Sequence, residues 1–280
     1  MVMMNRLLVL GLWIGFAASS AQAGTIYGLT SLNQLVSFDS ATPGSVTNLG
    51  TISQAGIVDI DFSPVNGQLY GVTSNGSLYF INLGTAAATL AVSPTSPLNS
   101  ITDSDFNPAA DRLRLFGDVD QSYRITPDVS GTNPATATPG AVSVDGAFTG
   151  PATPVDLVGA AYTNNFDGTA TTTLYSIDTA VDRLIVHSIA PQFVTVAAVG
   201  SLGVAVGSAV GFDIGADGIA YMSDGANLYT VNLGTGAATT AGTVGNLDLT
   251  SIAVPVPEPG TAALLGLGLL SMGVVRRIRR

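Results

Sequence analysis

The 280-residue chain contains no cysteine and no lysine, and it has one histidine and one glutamate. Without cysteine, neither a disulfide scaffold nor a cysteine-ligated zinc site is available, and a single histidine cannot complete the usual zinc ligand sets. Charged residues make up only 10% of the chain, whereas hydrophobic residues make up 46%, which excludes an intrinsically disordered polymer. The sequence therefore predicts a folded protein with a large core.

Basic residues are scarce between the two ends. Five of the nine arginines lie near a terminus: Arg6, Arg276, Arg277, Arg279 and Arg280. The remaining body has 4 Arg against 18 Asp, a net charge of −14. Because nucleic acids and anionic membrane surfaces both require a basic footprint, this balance excludes them as partners of the body.

The first 23 residues have the layout of a secretory signal peptide. Arg6 precedes an apolar run over residues 7–16, and the segment ends in Ala21-Gln22-Ala23. Small residues at Ala21 and Ala23 are typical of signal peptidase cleavage, here between Ala23 and Gly24. The pattern predicts that residues 1–23 are removed during export.

The last 25 residues, 256–280, form a second separate segment. Prolines 257 and 259 flank Glu258 in an extended stem, and an apolar stretch follows over residues 261–275. As a helix this stretch measures about 22 Å, short for a hydrocarbon core of about 30 Å, so it predicts a transient inner-membrane anchor. The terminal cluster Arg276, Arg277, Arg279 and Arg280 would keep its end cytoplasmic.

This stem, hydrophobic helix and arginine cluster resemble the PEP-CTERM sorting signal of exosortase-processed bacterial proteins. The resemblance implies that Pro257, Glu258 and Pro259 are recognised by exosortase, which removes the tail, and that the arginine cluster provides retention. It also implies secretion across the inner membrane of a Gram-negative-type bacterium, ending at the cell surface or in the extracellular matrix. An ordinary tail anchor stays open as the alternative.

The body, residues 24–255, contains an internal repeat. Residues 76–85 return as 226–235, and Asp59–Pro64 matches 103–108. The spacing between copies is about 44 to 56 residues, near the length of a four-stranded propeller blade. Asn-Gly turns between short apolar runs predict hairpins within each unit. The repeat predicts a β-propeller.

The two ends of the body predict how the ring closes. Residues 25–30 match the second strand of a unit, and the missing first strand reappears at 249–254. We therefore predict five blades, with the C-terminal strand completing the N-terminal blade so that no sheet edge stays open. A two-sheet β-sandwich is the alternative.

Several segments of the body together resemble a bacterial extracytoplasmic family known as domain of unknown function 4394. They are Asp-Phe-Ser/Asn-Pro, residues 111–115, residues 161–165 and residues 211–214. The resemblance implies a propeller-like fold and carries no activity.

Aspartate pairs are the first candidate site. In Asp59/Asp61, Asp103/Asp105 and Asp118/Asp120, alternate residues of a predicted strand project to one side. Such pairs suit three uses: hydrogen bonding of exposed amides at blade junctions, Ca²⁺ binding, or carboxylate-based hydrolysis. The absence of glutamate from the body favours the first use, and Ca²⁺ through Asp59, Asp61, Asp103 and Asp105 is the weaker alternative.

Arginines and the histidine are the remaining candidates. Arg112, Arg114 and Arg124 either form a positive notch for a carboxylate or sulfate of an acidic polysaccharide, or neutralise Asp103, Asp105 and Asp111. His187 lies in a segment whose alternating pattern is typical of a strand. No sequence feature supplies it with catalytic partners, so we expect a structural histidine.

We therefore predict an exported propeller that binds a glycan, such as exopolysaccharide, or a matrix protein without catalysis. The alternatives are a calcium-dependent or carboxylate-based polysaccharide enzyme and a passive structural coat protein.

Overall fold

The computed structural model describes residues 24–127, 138–152, 156–190 and 192–256. This part of the chain is all-β and contains twenty strands. The predicted signal peptide and the predicted C-terminal helix lie outside the described residues. The first ten strands are β1 (Thr25–Thr30), β2 (Gln34–Asp39), β3 (Thr42–Thr51), β4 (Ile57–Phe62), β5 (Leu69–Thr73), β6 (Leu78–Ile81), β7 (Ala88–Val92), β8 (Ile101–Asn107), β9 (Arg112–Gly117) and β10 (Gln121–Ile125). The others are β11 (Val142–Ala147), β12 (Leu157–Tyr162), β13 (Leu174–Asp178), β14 (Arg183–Ser188), β15 (Thr195–Ser201), β16 (Val210–Ile214), β17 (Ala220–Asp224), β18 (Asn227–Val231), β19 (Ala238–Thr243) and β20 (Leu249–Ala253).

The strands form five antiparallel four-stranded sheets, which are the blades of a propeller. Blade 1 is β20-β1-β2-β3, blade 2 is β4 to β7, blade 3 is β8 to β11, blade 4 is β12 to β15 and blade 5 is β16 to β19. The first strand of each blade packs against the first strand of the next, so β4, β8, β12, β16 and β20 surround the axis. The predicted five-bladed propeller is confirmed, and the sandwich alternative is wrong.

Closure of the ring depends on the two ends of the body. Strand β20 pairs antiparallel with β1, with Tyr27 opposite Ala253 and Thr30 opposite Leu249. The Ser31 N–H also donates to the Asp248 carbonyl oxygen at 2.9 Å. The predicted completion of the N-terminal blade by the C-terminal strand is confirmed.

All five inner strands run in one direction along the axis, and this defines two faces. We call the upper face the one where the inner strands begin; it carries the turns from the second to the third strand, such as residues 74–77 and 118–120. The lower face is where the inner strands end, together with the turns 82–87 and 232–237.

Hydrophobic clusters between neighbouring blades hold the ring together. In one of them Tyr27 of blade 1 meets Phe62 of blade 2 edge-on, with ring centroids 5.3 Å apart. Within blades 1 and 2, a Tyr-Gly pair allows close packing, because a Cβ on Gly71 would lie 2.8 Å from the Ile81 side chain of β6 and one on Gly28 would lie 2.9 Å from Leu249 of β20. The glycine lets the second strand approach its neighbours closely.

Each blade leaves its fourth strand as an edge, and each edge is irregular. The pairing between the third and fourth strands shifts register in all five blades. A bulge twists an edge strand and interrupts its row of unpaired amides, so these edges are poor templates for pairing with another chain.

Candidate functional site

A cavity of about 460 Å³ opens at the upper face, where the central channel begins. Its wall comes from the first residues of the inner strands, including Val58, Thr102, Val158, Val210 and Thr250. Because five strands converge here, the cavity is a product of the whole ring and is not confined to one blade. Its volume lies within the range of small-molecule sites in proteins.

The lining of the cavity is acidic and rich in hydroxyl groups. The polar lining residues are Ser74, Ser100, Thr102, Asp103, Asp118, Asp120, Asp156, Ser208 and Thr250. Apolar side chains fill the gaps between them, and no basic side chain occurs among the residues that line it. The mouth therefore offers hydrogen-bond donors and acceptors together with negative charge.

Turns of blades 3 and 4 fix the acidic rim. Asp118 and Asp120 belong to the β9–β10 turn, so the expectation that this pair lies within a strand is wrong. The turn is held because the Asp118 N–H donates to Ser100 O at 2.8 Å and the Asp120 carbonyl accepts from Phe148 N at 2.9 Å. Asp120 takes a left-handed φ of 54°, a conformation that Asp tolerates well. Partial burial raises the pKa of Asp120.

Thr179 supports the third rim carboxylate. Its hydroxyl donates to Asp156 Oδ2 at 3.0 Å, which leaves the other carboxylate oxygen of this exposed side chain without a described partner. Asp118 and Asp156 are therefore accessible to a ligand, whereas Asp120 is half-buried and its carboxylate also accepts a hydrogen bond from the Leu157 N–H.

Below the rim, buried aspartates on β4, β8 and β16 bond to neighbouring inner strands. Asp103 on β8 accepts hydrogen bonds from two successive N–H groups of β12, from Gly159 at Oδ2 and from Ala160 at Oδ1, both at 2.7 Å. Asp59 at the same position on β4 accepts from the hydroxyl of Ser104 at 2.5 Å and from that of Ser251 at 2.6 Å. One carboxylate therefore ties three blades together.

A second layer lies one pleat further down. Asp61 accepts from Phe106 N at 2.8 Å, Asp105 from Tyr162 N and Asp213 from Val254 N, in each case reaching the next inner strand. Asp105 Oδ1 has no N–H or O–H partner from other residues, and it faces the Asp61 side chain. This contact is favourable when one of the two carboxyls carries a proton.

Burial strongly perturbs these carboxyls. It raises the pKa of Asp59 to about 7 and that of Asp61 to about 6. Burial also raises the pKa of Asp103, Asp105 and Asp213 well above the ordinary value, and neighbouring carboxylates add to the effect. Proton uptake, rather than an opposing side-chain charge, relieves the repulsion within the channel.

The three arginines of blade 3 lie together, and Arg114 also reaches Tyr162 of blade 4. Arg114 is almost fully buried and donates to Asp145 at 3.0 Å and to the hydroxyls of Ser122 and Tyr162. Arg124 forms a two-pronged pair with Asp145, with distances of 2.7 to 3.0 Å. The acid that neutralises both arginines is therefore Asp145, a residue absent from the three that the sequence suggested.

Arg112 is the third of these arginines. Its Nη2 donates to the carbonyl oxygens of Arg124 and Ala141 and to Ser143 Oγ, at 3.4 to 3.5 Å. Partial burial, together with the charge of Arg124, lowers its pKa.

His187 of blade 4 is buried at the junction with blade 3, where its ring packs against Phe116 and Phe148. Its Nε2 lies 2.8 Å from Ser176 Oγ, and its Nδ1 lies 2.8 Å from the carbonyl oxygen of Phe193. Burial lowers the pKa of His187 to about 3, so the ring is neutral; its Nδ1–H donates to the Phe193 carbonyl, and its Nε2 accepts a hydrogen bond from the Ser176 hydroxyl. The pair resembles a nucleophile and base, but both side chains are sealed from solvent and a carbonyl replaces the orienting acid.

Several important residues were missed from the sequence. Ser104 and Ser251 were not separable from other serines, since their role depends on a carboxylate contributed by another blade. Asp213 did carry a signal, because it occupies the Asp61 position of the repeat. Of the predicted cleavage and sorting residues, only Gly24 is described, and its N–H donates to Ser40 Oγ at 3.1 Å. Ala21, Ala23, Pro257, Glu258, Pro259 and the arginine cluster lie outside the described residues.

The described part of the chain lacks both a metal-binding cluster and a membrane-spanning helix. Within the described ranges, no group of three or more histidine, cysteine or acidic side chains is arranged to hold a metal ion. In the same part of the chain, no helix has the length and apolarity needed to cross a membrane.

A similar solved structure with a TM-score above 0.5 supports the fold alone. A chain of the nidogen/laminin complex matches with a TM-score of 0.52 at 11% identity, over 84% of this chain and 98% of that chain. A putative gluconolactonase matches with a TM-score of 0.45 at 12% identity, over 85% and 90% of the two chains. The calcium-binding protein regucalcin from Agrobacterium tumefaciens matches at 0.43 and 15%, over 78% and 70%. No curated protein matches the sequence.

Family models account for almost the whole described body and the tail. The model described as a PEP-CTERM protein-sorting motif matches residues 255–280, which marks the chain for export and for the cell surface or extracellular space of Gram-negative bacteria. The model described as domain of unknown function, DUF4394, matches residues 34–253. The five-bladed ring with its acidic channel mouth is therefore that of a member of the DUF4394 family that carries a PEP-CTERM sorting signal.

Proposed function

We propose that this protein is an exported, surface-sorted binding module that holds a glycan, or a glycan-bearing matrix protein, at the mouth of its central channel without transforming it. The observation that carries the proposal is the cavity of about 460 Å³ at the upper face, lined by hydroxyls and accessible carboxylates. Loops and strand ends on this architecture commonly supply the binding residues.

The chemistry of the lining favours a neutral or amine-bearing sugar. Sugar hydroxyls can donate to Asp118, Asp120 and Asp156 and accept from the serine and threonine hydroxyls. An anionic sugar would meet uncompensated negative charge at the rim. The arginines proposed for an acidic polysaccharide are occupied by Asp145 and by backbone oxygens, which argues for the channel mouth over the arginine notch.

One feature favours the enzyme alternative. Asp103 reaches the cavity, and burial raises its pKa, as in a general acid of glycoside hydrolysis. Both of its oxygens, however, already accept backbone hydrogen bonds from β12, and the neighbouring Asp59 is occupied by two serine hydroxyls. We therefore favour binding over catalysis.

Calcium is not needed for the proposed binding. The carboxylates of Asp59, Asp61, Asp103 and Asp105 are used between blades, so a bound Ca²⁺ would have to break contacts that join inner strands.

A glycan array with the purified body, residues 24–256, tests the proposal. Replacing both Asp118 and Asp120 by Asn should abolish or strongly weaken binding to a neutral or amine-bearing glycan. The matched control is Asp167→Asn, the same change at an exposed aspartate of the lower face, and it should leave binding intact. Binding that survives the double variant, or that is lost equally in the control, would place the ligand elsewhere.

Incubation with the exopolysaccharide of the producing organism separates the rivals. Release of oligosaccharides that Asp103→Asn abolishes would establish the enzyme. Absence of both binding and turnover on the complete array would instead support a passive coat protein.

A further inference from the structure

Both ends of the described chain leave the ring at the lower face. Strand β1 begins there at Thr25, and β20 ends there at Ala253, since the two strands are antiparallel neighbours. The hydroxyl of Ser40, in the lower-face turn between β2 and β3, accepts from Gly24 N. The signal peptide and the sorting motif are thus attached to the same side of the molecule.

The chain stays fixed to that face until just before the motif's prolines. Val256 is only 7% exposed and belongs to the hydrophobic cluster that includes Ala253 and Phe62. The described fold therefore anchors the chain up to residue 256, and the family model places the sorting motif over residues 255–280. Four residues, 257–260, separate this anchor from the apolar stretch that starts at Thr261.

Those four residues set the reach of the tether. Fully extended, they span about 14 Å. The inner strands give the ring a height of about 20 Å, and the outermost strand lies about 15 Å from the innermost strand of its blade. Because β20 is an innermost strand, a tether to the upper side would have to cover about 35 Å around a blade. The stem is too short for that path.

We propose that the lower face is the membrane side of this protein, and that the acidic channel mouth is held pointing away from the membrane for as long as the tail is attached. The partner of the lower face is the lipid surface in which the tail resides. The exposed aliphatic tips of the upper turns, Leu32, Val119 and Val181, then belong to the displayed side. This orientation follows from strand direction and stem length and does not depend on the proposed ligand.

The absence of native cysteine makes the orientation directly measurable. Val119→Cys on the upper face and Ile189→Cys on the lower face are matched sites, since both replace an exposed β-branched side chain, 60% and 65% exposed. The full chain, produced without exosortase so that the tail remains, is labelled with a fluorophore and placed in phosphatidylcholine vesicles that contain a quencher on the lipid headgroup.

We expect the label at 189 to be quenched at least about twofold more than the label at 119, because the two faces differ in height by about 20 Å. Insertion of about 20 Gly/Ser residues after Val256 should remove the difference, since such a linker spans about 25 Å on average. A body truncated after Val256 should show no quenching at either site.

Equal quenching at both sites in the full chain, or stronger quenching at 119, would overturn the proposal. If either variant fails to fold, Leu32→Cys and Phe166→Cys provide a second upper and lower pair. The glycan array uses the tail-free body, so failure of ligand binding leaves this result unchanged, and the reverse also holds.

Discussion

Two aspartates that occupy equivalent positions of the repeat should respond differently to the same substitution. Asp59 and Asp103 are both the third residue of an inner strand, and both are almost fully buried. Their partners differ, because Asp59 accepts from two hydroxyls and Asp103 from two backbone N–H groups. Replacement by Asn keeps the size of the side chain and tests the partners.

At position 103 the side-chain amide of the introduced asparagine cannot accept from both backbone N–H groups. Its oxygen can accept from either Gly159 N or Ala160 N, and its NH₂ group must then face the other N–H donor. One buried donor loses its partner, which costs about 1 to 3 kcal/mol, and the opposed donors add repulsion. We expect Asp103→Asn to lower the free energy of unfolding by about 2 to 4 kcal/mol.

At position 59 the amide can be accommodated. The hydroxyls of Ser104 and Ser251 rotate, so one can donate to the amide oxygen while the other accepts from its NH₂ group. The substitution also removes a carboxyl whose pKa burial raises to about 7. Asp59→Asn should therefore change the free energy of unfolding by less than about 1 kcal/mol at pH 7.

Urea unfolding of the body at pH 7, followed by far-ultraviolet circular dichroism, measures the contrast. Trp13, the single tryptophan, falls within residues 1–23, so tyrosine emission is the suitable second probe for residues 24–256. Equal losses in the two variants, or a larger loss in Asp59→Asn, would falsify the assignment of backbone links at Asp103 and hydroxyl links at Asp59.

Three further predictions concern the channel carboxyls and the arginines of blade 3. First, the native state binds protons more tightly than the unfolded state at Asp59 and Asp61, whose pKa values rise from 3.8 to about 7 and about 6. The extra stability is fully present below pH 4 and is lost as pH rises through 7, so the urea midpoint should fall between pH 4.5 and pH 8; a rising midpoint contradicts this. Second, Arg114→Met should cost about 3 to 5 kcal/mol in urea unfolding, because it leaves buried partners without their donor, whereas Arg124→Met should cost about 1 kcal/mol since that side chain is partly exposed. If both variants lose the same free energy of unfolding, the conclusion that Arg114 contributes more to stability than Arg124 is wrong. Third, the thermal midpoint should be the same in calcium and in chelator, because the channel carboxylates are occupied by protein donors; a shift of several degrees would restore calcium as a ligand.

Most of the fold could be predicted from the internal repeat in the sequence. Alternating apolar residues, Asn-Gly turns and a unit length near 50 residues together fix a series of four-stranded meanders, because these are local properties of the chain. The match of residues 25–30 to a second strand and of residues 249–254 to a first strand was enough to predict closure, and the observed pairing of β1 with β20 confirms it. The sorting motif could also be recognised from the sequence, since it is a short linear segment.

The site was only partly readable from the sequence. The Asp-x-Asp spacing identified Asp59, Asp61, Asp103 and Asp105 as a group, but their partners lie on inner strands of other blades and cannot be inferred from neighbours along the chain. In the same way, Arg112, Arg114 and Arg124 were recognised as a group, whereas Asp145 was not, because it reaches Arg114 and Arg124 only after β10 pairs with β11.

The sequence by itself determined the number of blades, the split first blade and the export of the protein. Each of these depends on a local pattern that either repeats along the chain or lies at one of its termini. Only the tertiary structure decided that the channel carboxylates act between blades, that the cavity opens at the upper face and that both ends leave from the lower face. The physical reason is that these properties depend on which strands meet across the axis and in which direction they run, and residues about 45 to 190 positions apart come into contact only when the ring closes.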